Sequence, residues 1–265
     1  MSISVVMNSY NRAPLLRWAL ASYLRQTAKD FEIVVADDGS EDDTPEVVEQ
    51  FRRTAPFEVQ YVRHEHRGHR RAAILNRGIE RCRGSQVLFT DCDSLASSRL
   101  IEVHRRHMRP ERILIGARAR LGQGETEKLT DAVVQSGAFE ELLDSRRRDE
   151  LMRRHRKARR QILLRRRRRP HNLGINYSAA REALLRINGY DEEFRGWGGA
   201  DGDVRERLRR IGVRPYSVYD GALVFHMWHP VEPTREDLAR NRARSRRRDA
   251  PVFARRGIVK SEEPG

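Results

Sequence analysis

The sequence predicts an α/β fold with a doubly wound, mostly parallel sheet. Four short apolar stretches rich in β-branched residues are typical of buried strands, and they cover residues 3–7, 31–36, 59–62 and 86–90. Helical patterns separate them at residues 14–24, from Thr44 onward, and at residues 71–81. This alternation favours parallel strands joined by right-handed crossover helices.

The first-half helices show clear local signals. Residues 14–24 place apolar side chains almost all round the helix, which predicts that it is buried. Pro45 directly follows Thr44, as expected for the start of a helix. In the helix at residues 71–81, Ile74 and Ile79 lie on one apolar face.

The second half of the chain is less regular. Asp203 and Glu206 have the spacing of a helix capping box, so we expect a helix to start at Asp203. Helical patterns also cover residues 130–169 and 181–187. Strands are expected at residues 113–117, 176–179, 216–219 and 222–225.

A chain of 265 residues can bury one substantial core. We expect one compact unit, with a nucleotide-binding half at residues 1–108 and an acceptor-binding half at 109–233. The second half contains a basic helical insertion at about residues 142–170. Residues 234–265 form a charged tail that is expected to be partly disordered.

The sequence shows no sign of secretion or membrane insertion. A β-branched stretch follows the first residues directly, where a signal peptide would have a basic and then an apolar region. No apolar run approaches the roughly 18 residues of a transmembrane helix. Cys82 and Cys92 are the only cysteines, which fits a reducing compartment. We therefore expect a cytoplasmic protein.

The net charge of +15 favours a polyanionic partner, and the charge is concentrated in residues 145–169 and 240–248. Nucleic-acid binding is disfavoured because residues 145–169 contain no aromatic side chain for base stacking. A solvated charged helix, peripheral contact with an anionic membrane surface and an anionic acceptor stay open as interpretations.

Polar motifs follow three predicted strands, at the sheet edge where α/β proteins bind ligands. Asp91 and Asp93 follow the fourth strand, and alternation along a strand would place both carboxylates on one side. Such a pair suits Mg²⁺ or Mn²⁺ with open positions for diphosphate oxygens. A solvated turn at the strand end is the alternative.

The first two strands end in residues that could hold a pyrimidine. Tyr10 offers an aromatic face, and Asp38 offers a carboxylate for a ring N–H, although residues 37–40 also read as a tight turn. Arg70 precedes a predicted helix and could pair with a diphosphate. In so basic a chain it could equally be a surface arginine.

The sequence resembles glycosyltransferase family 2 over roughly the first hundred residues. The resemblance rests on these motifs together with Gln26-Thr27, Asp43-Thr44, residues 71–76 and residues 89–93. The resemblance implies a GT-A-like nucleotide-diphospho-sugar transferase fold. It also implies a UDP-sugar donor, with uracil contacts from Asn8, Tyr10 and Asp38. Arg70 and Asp91 would approach the donor diphosphate, and Asp93 would carry the metal.

The segment 196–203 is rich in glycine and contains Trp197 and Asp201. Gly198 and Gly199 let the backbone approach a ligand closely, and Trp197 offers a flat face for a sugar ring. A tight turn before a helix is the alternative. If Asp203 caps that helix, Asp201 is left beside the positive end of the helix dipole, where a carboxylate is stabilised as an anion.

Residues 188–201 are similar to the C-terminal part of β4-galactosyltransferases, chondroitin polymerases and polypeptide N-acetylgalactosaminyltransferases. Asp201 matches the catalytic base of the inverting members, whereas Asn at that place marks the retaining ones. Ala200 departs from the usual Glu that helps to hold sugar hydroxyls. The resemblance therefore leaves the donor sugar and the acceptor open.

Two histidines, His226 and His229, end the last predicted strand region. In the similar enzymes a histidine from this region completes the metal site, and we favour His226 because it directly follows a strand. An imidazole beside carboxylates favours Mn²⁺ over Mg²⁺.

Together, the sequence predicts metal-dependent, inverting transfer from a UDP-sugar to a hydroxyl acceptor. A retaining N-acetylgalactosaminyltransferase-like enzyme and a non-catalytic polyanion-binding protein are the alternatives.

Overall fold

The computed structural model describes residues 2–165, 174–230, 239–241, 243–244 and 250–260. Its strands are β1 (Ile3–Ser9), β2 (Phe31–Asp37), β3 (Val59–Arg63), β4 (Gln86–Asp91), β5 (Ser94–Ala96), β6 (Arg112–Ile115), β7 (Ala117–Arg120), β8 (Tyr177–Ala180), β9 (Arg214–Ser217) and β10 (Leu223–His226). Its helices are α1 (Ala13–Ser22), α2 (Thr44–Thr54), α3 (Arg71–Arg81), α4 (Leu100–His107), α5 (Gln123–Thr126), α6 (Asp131–Ser136), α7 (Ser145–Leu163), α8 (Arg181–Arg186) and α9 (Ala200–Arg210).

The main sheet has seven strands in the order β3-β2-β1-β4-β8-β6-β9. Strands β3, β2, β1 and β4 pair in parallel, β8 is antiparallel to both of its neighbours, and β6 and β9 pair in parallel. All strands except β8 therefore run the same way, which confirms the mostly parallel sheet.

Alternation along β1 shows how this sheet buries both faces. Val5 and Met7 pack into one apolar cluster together with residues of α1, α2 and α4. Val6 points to the other face and packs into a cluster built with α3, α8 and α9. Since successive strand side chains point to opposite faces, a nearly continuous apolar strand is required here. Helices cover both faces, as a doubly wound fold requires.

A second sheet of three strands, in the order β5-β10-β7, adjoins the main sheet. Its apolar face carries Leu95, Ala119 and Phe225, which pack in a third cluster with Phe139. The sequence predicted a single strand at residues 113–117. That prediction was wrong in one respect, because Gly116 ends β6 and the chain then enters β7 in the other sheet.

Helix α7 carries most of the described part of the basic segment 145–169, of which residues 166–169 lie outside the described residues. Buried His155 attaches it to the body, since its Nδ1 lies 3.0 Å from Oγ of Ser217. The helical region predicted at 130–169 is in fact broken into α6, a 3-10 turn (Ala138–Leu142) and α7. Gly137, with φ of 82°, ends α6 in the left-handed conformation that favours glycine.

Part of the charged tail lies against the body. The amide of Asn188 donates to the carbonyl groups of Ala254 (2.7 Å) and Val259 (2.8 Å), so residues 250–260 pack beside the end of α8. The final residues 261–265, which the sequence predicted to be disordered, lie outside the described residues. No helix within the described ranges is long and apolar enough to cross a membrane.

Candidate functional site

The polar motifs lie at one edge of the main sheet, where β1, β2 and β4 end. Asn8 of β1 is the direct register partner of Asp91 of β4, and Ser9 is the partner of Asp37 of β2. After β4 the chain turns at Cys92, whose N–H donates to the carbonyl oxygen of Asn8 at 2.9 Å. The alternation of side chains between the two faces of the strand therefore stops at Asp91. The direction of the Asp93 side chain is set by the turn that follows.

Asp93, His226 and His229 form a group of potential metal ligands. Nε2 of His229 lies 3.0 Å from Oδ2 of Asp93, and Nε2 of His226 lies 3.6 Å from Oδ1. One ligand atom from each residue can be chosen so that all lie within 4.8 Å of one another. The fold brings them together because β10 pairs with β5, and the N–H of Met227 donates to the carbonyl oxygen of Asp93.

The donor set fits a divalent cation. Nδ1 of His229 lies 2.9 Å from the carbonyl oxygen of Pro230, which can only accept, so Nδ1 carries the proton. A ring N–H bonded to a backbone carbonyl is common in metal-binding histidines, and in the neutral ring it leaves the lone pair of Nε2 available for a cation shared with Asp93. The sequence treated His226 and His229 as alternatives, and the structure brings both to Asp93.

Protonation of these histidines differs. The hydrogen bond to Asp93 raises the pKa of His229, since it favours the charged imidazolium. Burial lowers the pKa of His226, although Asp93 opposes that shift. His226 is therefore the more readily available neutral ligand near neutral pH.

Arg71 joins the end of β4 to the start of α9. Its Nη2 lies 3.3 Å from Oδ1 of Asp91, and its Nη1 lies 3.1 Å from Oδ1 of Asp201. Nη2 also donates to the carbonyl oxygen of Gly174 at 3.1 Å. One guanidinium therefore holds two carboxylates that are more than a hundred residues apart in the chain.

The charges in the group of Arg71, Asp91 and Asp201 shift the pKa values of Arg71 and Asp91. Burial, together with the charges of Asp93 and Asp201, raises the pKa of Asp91 to about 7 against the lowering effect of Arg71. Burial opposes the charged form of Arg71, but Asp201 and Asp91 raise its pKa above the ordinary value. Arg71 thus remains a cation between two acidic side chains.

Asp201 lies in the first turn of α9. The helix begins at Ala200 after Gly199, so the expectation of a start at Asp203 was wrong. Asp203 instead accepts from Nε of Arg207 at 2.7 Å within the helix. Asp201 also accepts a hydrogen bond from the hydroxyl group of Tyr190 at 3.0 Å. It thus combines a position near the helix N-terminus with two side-chain donors.

The glycine-rich segment before α9 has backbone angles that require glycine. Gly198 and Gly199 have φ of 88° and 90°, where a side chain would be strained. Trp197 is 42 % exposed, and its ring stacks near His69 with centroids 5.9 Å apart. The segment therefore presents an aromatic face and close backbone directly before the helix that carries Asp201.

The residues expected to contact uracil occupy a loop next to β2. Asp38 is 1 % exposed, and its carboxylate contacts Nε2 of His64 and accepts from the backbone N–H of Arg70 at 2.9 Å. Tyr10 stacks on His66 with ring centroids 4.5 Å apart. One face of Tyr10 is therefore covered, and Asp38 holds this loop against the strand end.

Asn8 and Arg70 lie on the same rim. Within the described part of the chain, Oδ1 of Asn8 is buried and has no hydrogen-bond partner, which leaves an acceptor for a ligand. The guanidinium of Arg70 donates to the carbonyl oxygen of Glu65 at 2.6 Å.

Sequence reasoning missed Arg71, Tyr190, His64 and His66. The adjacent Arg70 was chosen instead, because a chain with 53 Lys and Arg residues gives no signal that singles out one arginine.

Two known families match parts of this chain. Residues 4–181 match the family described as Glycosyl transferase family 2, which is more than half of the chain. The chain belongs to glycosyltransferase family 2. Residues 154–229 also match the family described as N-terminal domain of galactosyltransferase, a range that contains Asp201 and both histidines.

Curated relatives include biosynthetic glycosyltransferases. Chondroitin synthase of Escherichia coli is 28 % identical over 254 residues, which cover 89 % of this chain and 36 % of that protein. Validoxylamine A glucosyltransferase of Streptomyces hygroscopicus subsp. jinggangensis is 30 % identical over 221 residues, covering 80 % of this chain and 52 % of that protein. The chain thus spans about a third to a half of the length of these relatives.

Solved structures confirm the GT-A-like fold. A mannosyltransferase of Pyrobaculum calidifontis in complex with GDP-Man and Mn²⁺ has a TM-score of 0.59 and 21 % identity, covering 92 % of this chain and 61 % of that one. TarS residues 1–349 of S. aureus in complex with UDP-GlcNAc has a TM-score of 0.57 and 18 % identity, covering 88 % and 60 %. At these identities the likeness concerns the fold.

Proposed function

We propose that this chain transfers a sugar from a UDP-sugar to a hydroxyl acceptor, with inversion at the anomeric carbon. The observation that carries the proposal is the convergence of Asp201 with Asp91 through Arg71, beside the group of Asp93, His226 and His229. A carboxylate for proton transfer and a ligand set for a divalent cation thereby meet at the ligand-binding edge of the sheet.

Asp201 acts as the general base in this proposal. The acceptor oxygen forms a bond to the anomeric carbon while the bond from that carbon to the UDP oxygen breaks. Asp201 takes the hydroxyl proton. Its hydrogen bonds from Tyr190 and Arg71 hold the carboxylate in one orientation during this transfer.

Asp93, His226 and His229 would hold the divalent cation. When bound, such a cation offsets the negative charge that develops on the departing diphosphate. Two imidazoles with one carboxylate favour Mn²⁺ over Mg²⁺. Asp91 is close enough to this group for the charge of Asp93 to raise its pKa, and Arg71 joins Asp91 to Asp201.

The donor nucleotide would lie along the ends of β1 and β2. Asn8 supplies an unpartnered buried oxygen and Tyr10 an aromatic ring, whereas Asp38 and Arg70 shape the loop that closes the site. Trp197, Gly198 and Gly199 would face the donor sugar. The solved neighbours bind GDP-Man or UDP-GlcNAc, so the preference for UDP over GDP is to be measured by calorimetric titration of both.

The cellular location of the protein and the identity of its acceptor are predictions. A cytoplasmic protein with a peripheral contact to an anionic membrane surface agrees with the basic surface of α7.

The test is Asp201→Asn, which keeps the shape of the side chain and removes the base. We expect the transfer rate to fall by about 10²- to 10⁴-fold, with UDP affinity nearly unchanged. Asp203→Asn is the matched control in the same helix turn. It should lower the melting temperature through its lost ion pair with Arg207 and reduce activity only in proportion.

Product stereochemistry separates the inverting proposal from a retaining enzyme. NMR of the product should show the anomeric configuration opposite to that of the donor. A retained configuration, or near-normal turnover in Asp201→Asn, would contradict the role of Asp201.

A further inference from the structure

A cavity of about 460 Å³ lies between β7 and α7 and is rich in arginine. Its volume falls in the range of about 300 to 1,000 Å³ that is usual for small-molecule sites. Arg118 and Arg120 of β7 line one wall, and Arg147 and Arg154 of α7 line the other. The cavity is separate from the loop that carries Tyr10 and Asp38.

Two of these four arginines have no acidic partner. Arg147 pairs with Glu125 at 2.7 Å, and Arg154 pairs with Glu150 at 2.5 Å. Among the described residues, neither the guanidinium of Arg118 nor that of Arg120 makes a hydrogen bond or an ion pair. The cavity therefore keeps two guanidinium groups without a direct acidic partner, and its lining includes one carboxylate, Glu150, which pairs with Arg154.

Strand geometry directs both side chains into the same space. Arg118 and Arg120 are two residues apart, so they share one face of β7, while Ala117 and Ala119 face the opposite side. Arg118 is half-buried between the strand and α7. Burial and the charge of Arg120 lower its pKa, and the charges of Asp91 and Asp93 oppose that shift. Two cations held close together in a partly enclosed cavity favour the binding of an anion.

The cavity adjoins the proposed reaction centre. Arg120 is the direct register partner of His226 across the β7–β10 pair, and neighbouring strands lie about 4.8 Å apart. In the order β5-β10-β7, β7 and its cavity lie on the side of β10 away from β5. The residues assigned to the nucleotide, Asn8, Tyr10 and Asp38, do not line the cavity, which makes it a candidate site for the acceptor.

We propose that this cavity binds an anionic group of the acceptor saccharide, a carboxylate or a sulfate, through Arg118 and Arg120. The proposal rests on the proposed function, since it assigns the acceptor class of the same site. A guanidinium presents paired N–H donors whose geometry matches the oxygens of either group. Attachment of α7 through His155 to Ser217 fixes the opposite wall.

The experiment uses three probes with the full chain: methyl glucuronide, methyl glucoside 6-sulfate and the neutral methyl glucoside. Binding is measured by calorimetry at low salt with UDP and Mn²⁺ present, and UDP affinity is measured separately. At least one anionic probe should bind about tenfold or more tightly than the neutral one, because hydrogen bonds to charged groups are the stronger ones. The anion that binds tells whether the acceptor carries a carboxylate or a sulfate.

The test variant is Arg118→Gln/Arg120→Gln. It should weaken binding of the anionic probe by about tenfold or more and leave UDP affinity unchanged. The control Arg156→Gln/Arg160→Gln removes the same charge from exposed positions on the other side of α7 and should have little effect. Arg118→Lys/Arg120→Lys should restore part of the binding, and circular dichroism checks the fold.

Three results would overturn the proposal: equal binding of neutral and anionic probes, equal effects of the test and control variants, or loss of UDP affinity alone in the test variant. The last result would assign the arginines to the donor. Failure of UDP to bind the parent protein would instead contradict the proposed function, and the two failures are therefore distinguishable.

Discussion

Arg71 shows how a single side chain can organise a reaction centre. The negative charges of Asp91 and Asp201 repel each other, and the guanidinium of Arg71 between them offsets that repulsion. The three side chains are only 17 %, 19 % and 22 % exposed, so water screens them weakly. Removing the cation leaves two partly buried carboxylates without the charge that offsets theirs.

We expect Arg71→Met to lower the free energy of unfolding by about 3 kcal/mol, because breaking one side of a buried ion pair is costly. Activity should fall by about 100-fold as Asp201 loses its orientation. Urea denaturation and kinetics check both effects. Arg77→Met, at an exposed position of the same helix, is the control, and equal effects of the two substitutions would contradict the role of Arg71. Arg71→Lys should recover part of the activity by restoring the charge.

The metal ligands make a second prediction at this scale. Asp93→Ala should abolish activity and the thermal stabilisation by Mn²⁺, because a ligand stabilises the fold only if it binds the native state. Differential scanning fluorimetry with and without Mn²⁺ measures the shift. Glu141→Ala, which removes an exposed carboxylate, should keep both properties. Undiminished turnover of the parent protein in excess chelator would show that no cation is needed.

At the scale of elements, Gly116 decides where one sheet ends and the other begins. Its N–H donates to the carbonyl oxygen of Asn176, and the amide of Asn176 donates to Ala117 (2.8 Å) and Ala222 (3.1 Å). A methyl group added at Gly116 would overlap with the side chain of Asn176. The junction between the sheets therefore leaves no room for a side chain.

We predict that Gly116→Ala destabilises the protein by about 1–3 kcal/mol, which is the usual cost of overpacking. Gly124→Ala is the control, because nothing lies within 4 Å of the added atom and the position is helical. That substitution should be neutral or slightly stabilising. Chemical denaturation of both variants measures the difference, and equal midpoints would show that Asn176 simply moves aside.

The same elements show what local sequence can predict. Residues 3–7, 31–36, 59–62 and 86–90 lie within β1 to β4, because strands buried on both faces require continuous apolar runs. The run at 113–117 is equally apolar, and only its contact with distant Asn176 reveals the break at Gly116. The start of α9 was misplaced because Asp203 and Glu206 imitate a capping box, whereas Arg207 binds Asp203.

For the molecule as a whole, the candidate site depends on contacts between remote segments. Asp93 and His229 meet through the pairing of β5 with β10, and no local pattern encodes that pairing. The resemblance to known enzymes pointed to these residues, whereas Arg71 and the cavity at Arg118 required the tertiary structure. The rim motifs were predictable because parallel strands end at a common edge.

A buried polar network couples α4 to both sheets through His104. Nε2 of His104 lies 2.9 Å from Oδ1 of Asn176, and Nδ1 lies 2.8 Å from Oγ of Ser178. The amide of Asn176 donates to two carbonyl groups, so its Oδ1 must accept from His104. His104 is therefore neutral with its proton on Nε2, and burial lowers its pKa from 6.5 to about 4.

This pKa shift predicts a loss of stability in acid. Between pH 6.5 and about 4 the unfolded state binds a proton at His104 that the folded state does not, so the free energy of unfolding falls as the pH falls. The full effect is about 3 kcal/mol, since each pKa unit corresponds to about 1.4 kcal/mol. Urea denaturation at several pH values should show that the parent protein loses about this much more stability between pH 7 and 4 than His104→Gln. Comparing the parent protein with His104→Gln cancels the contributions of the other titrating groups. If both proteins lost stability equally as the pH fell, the pKa of His104 would not be lowered in the folded state.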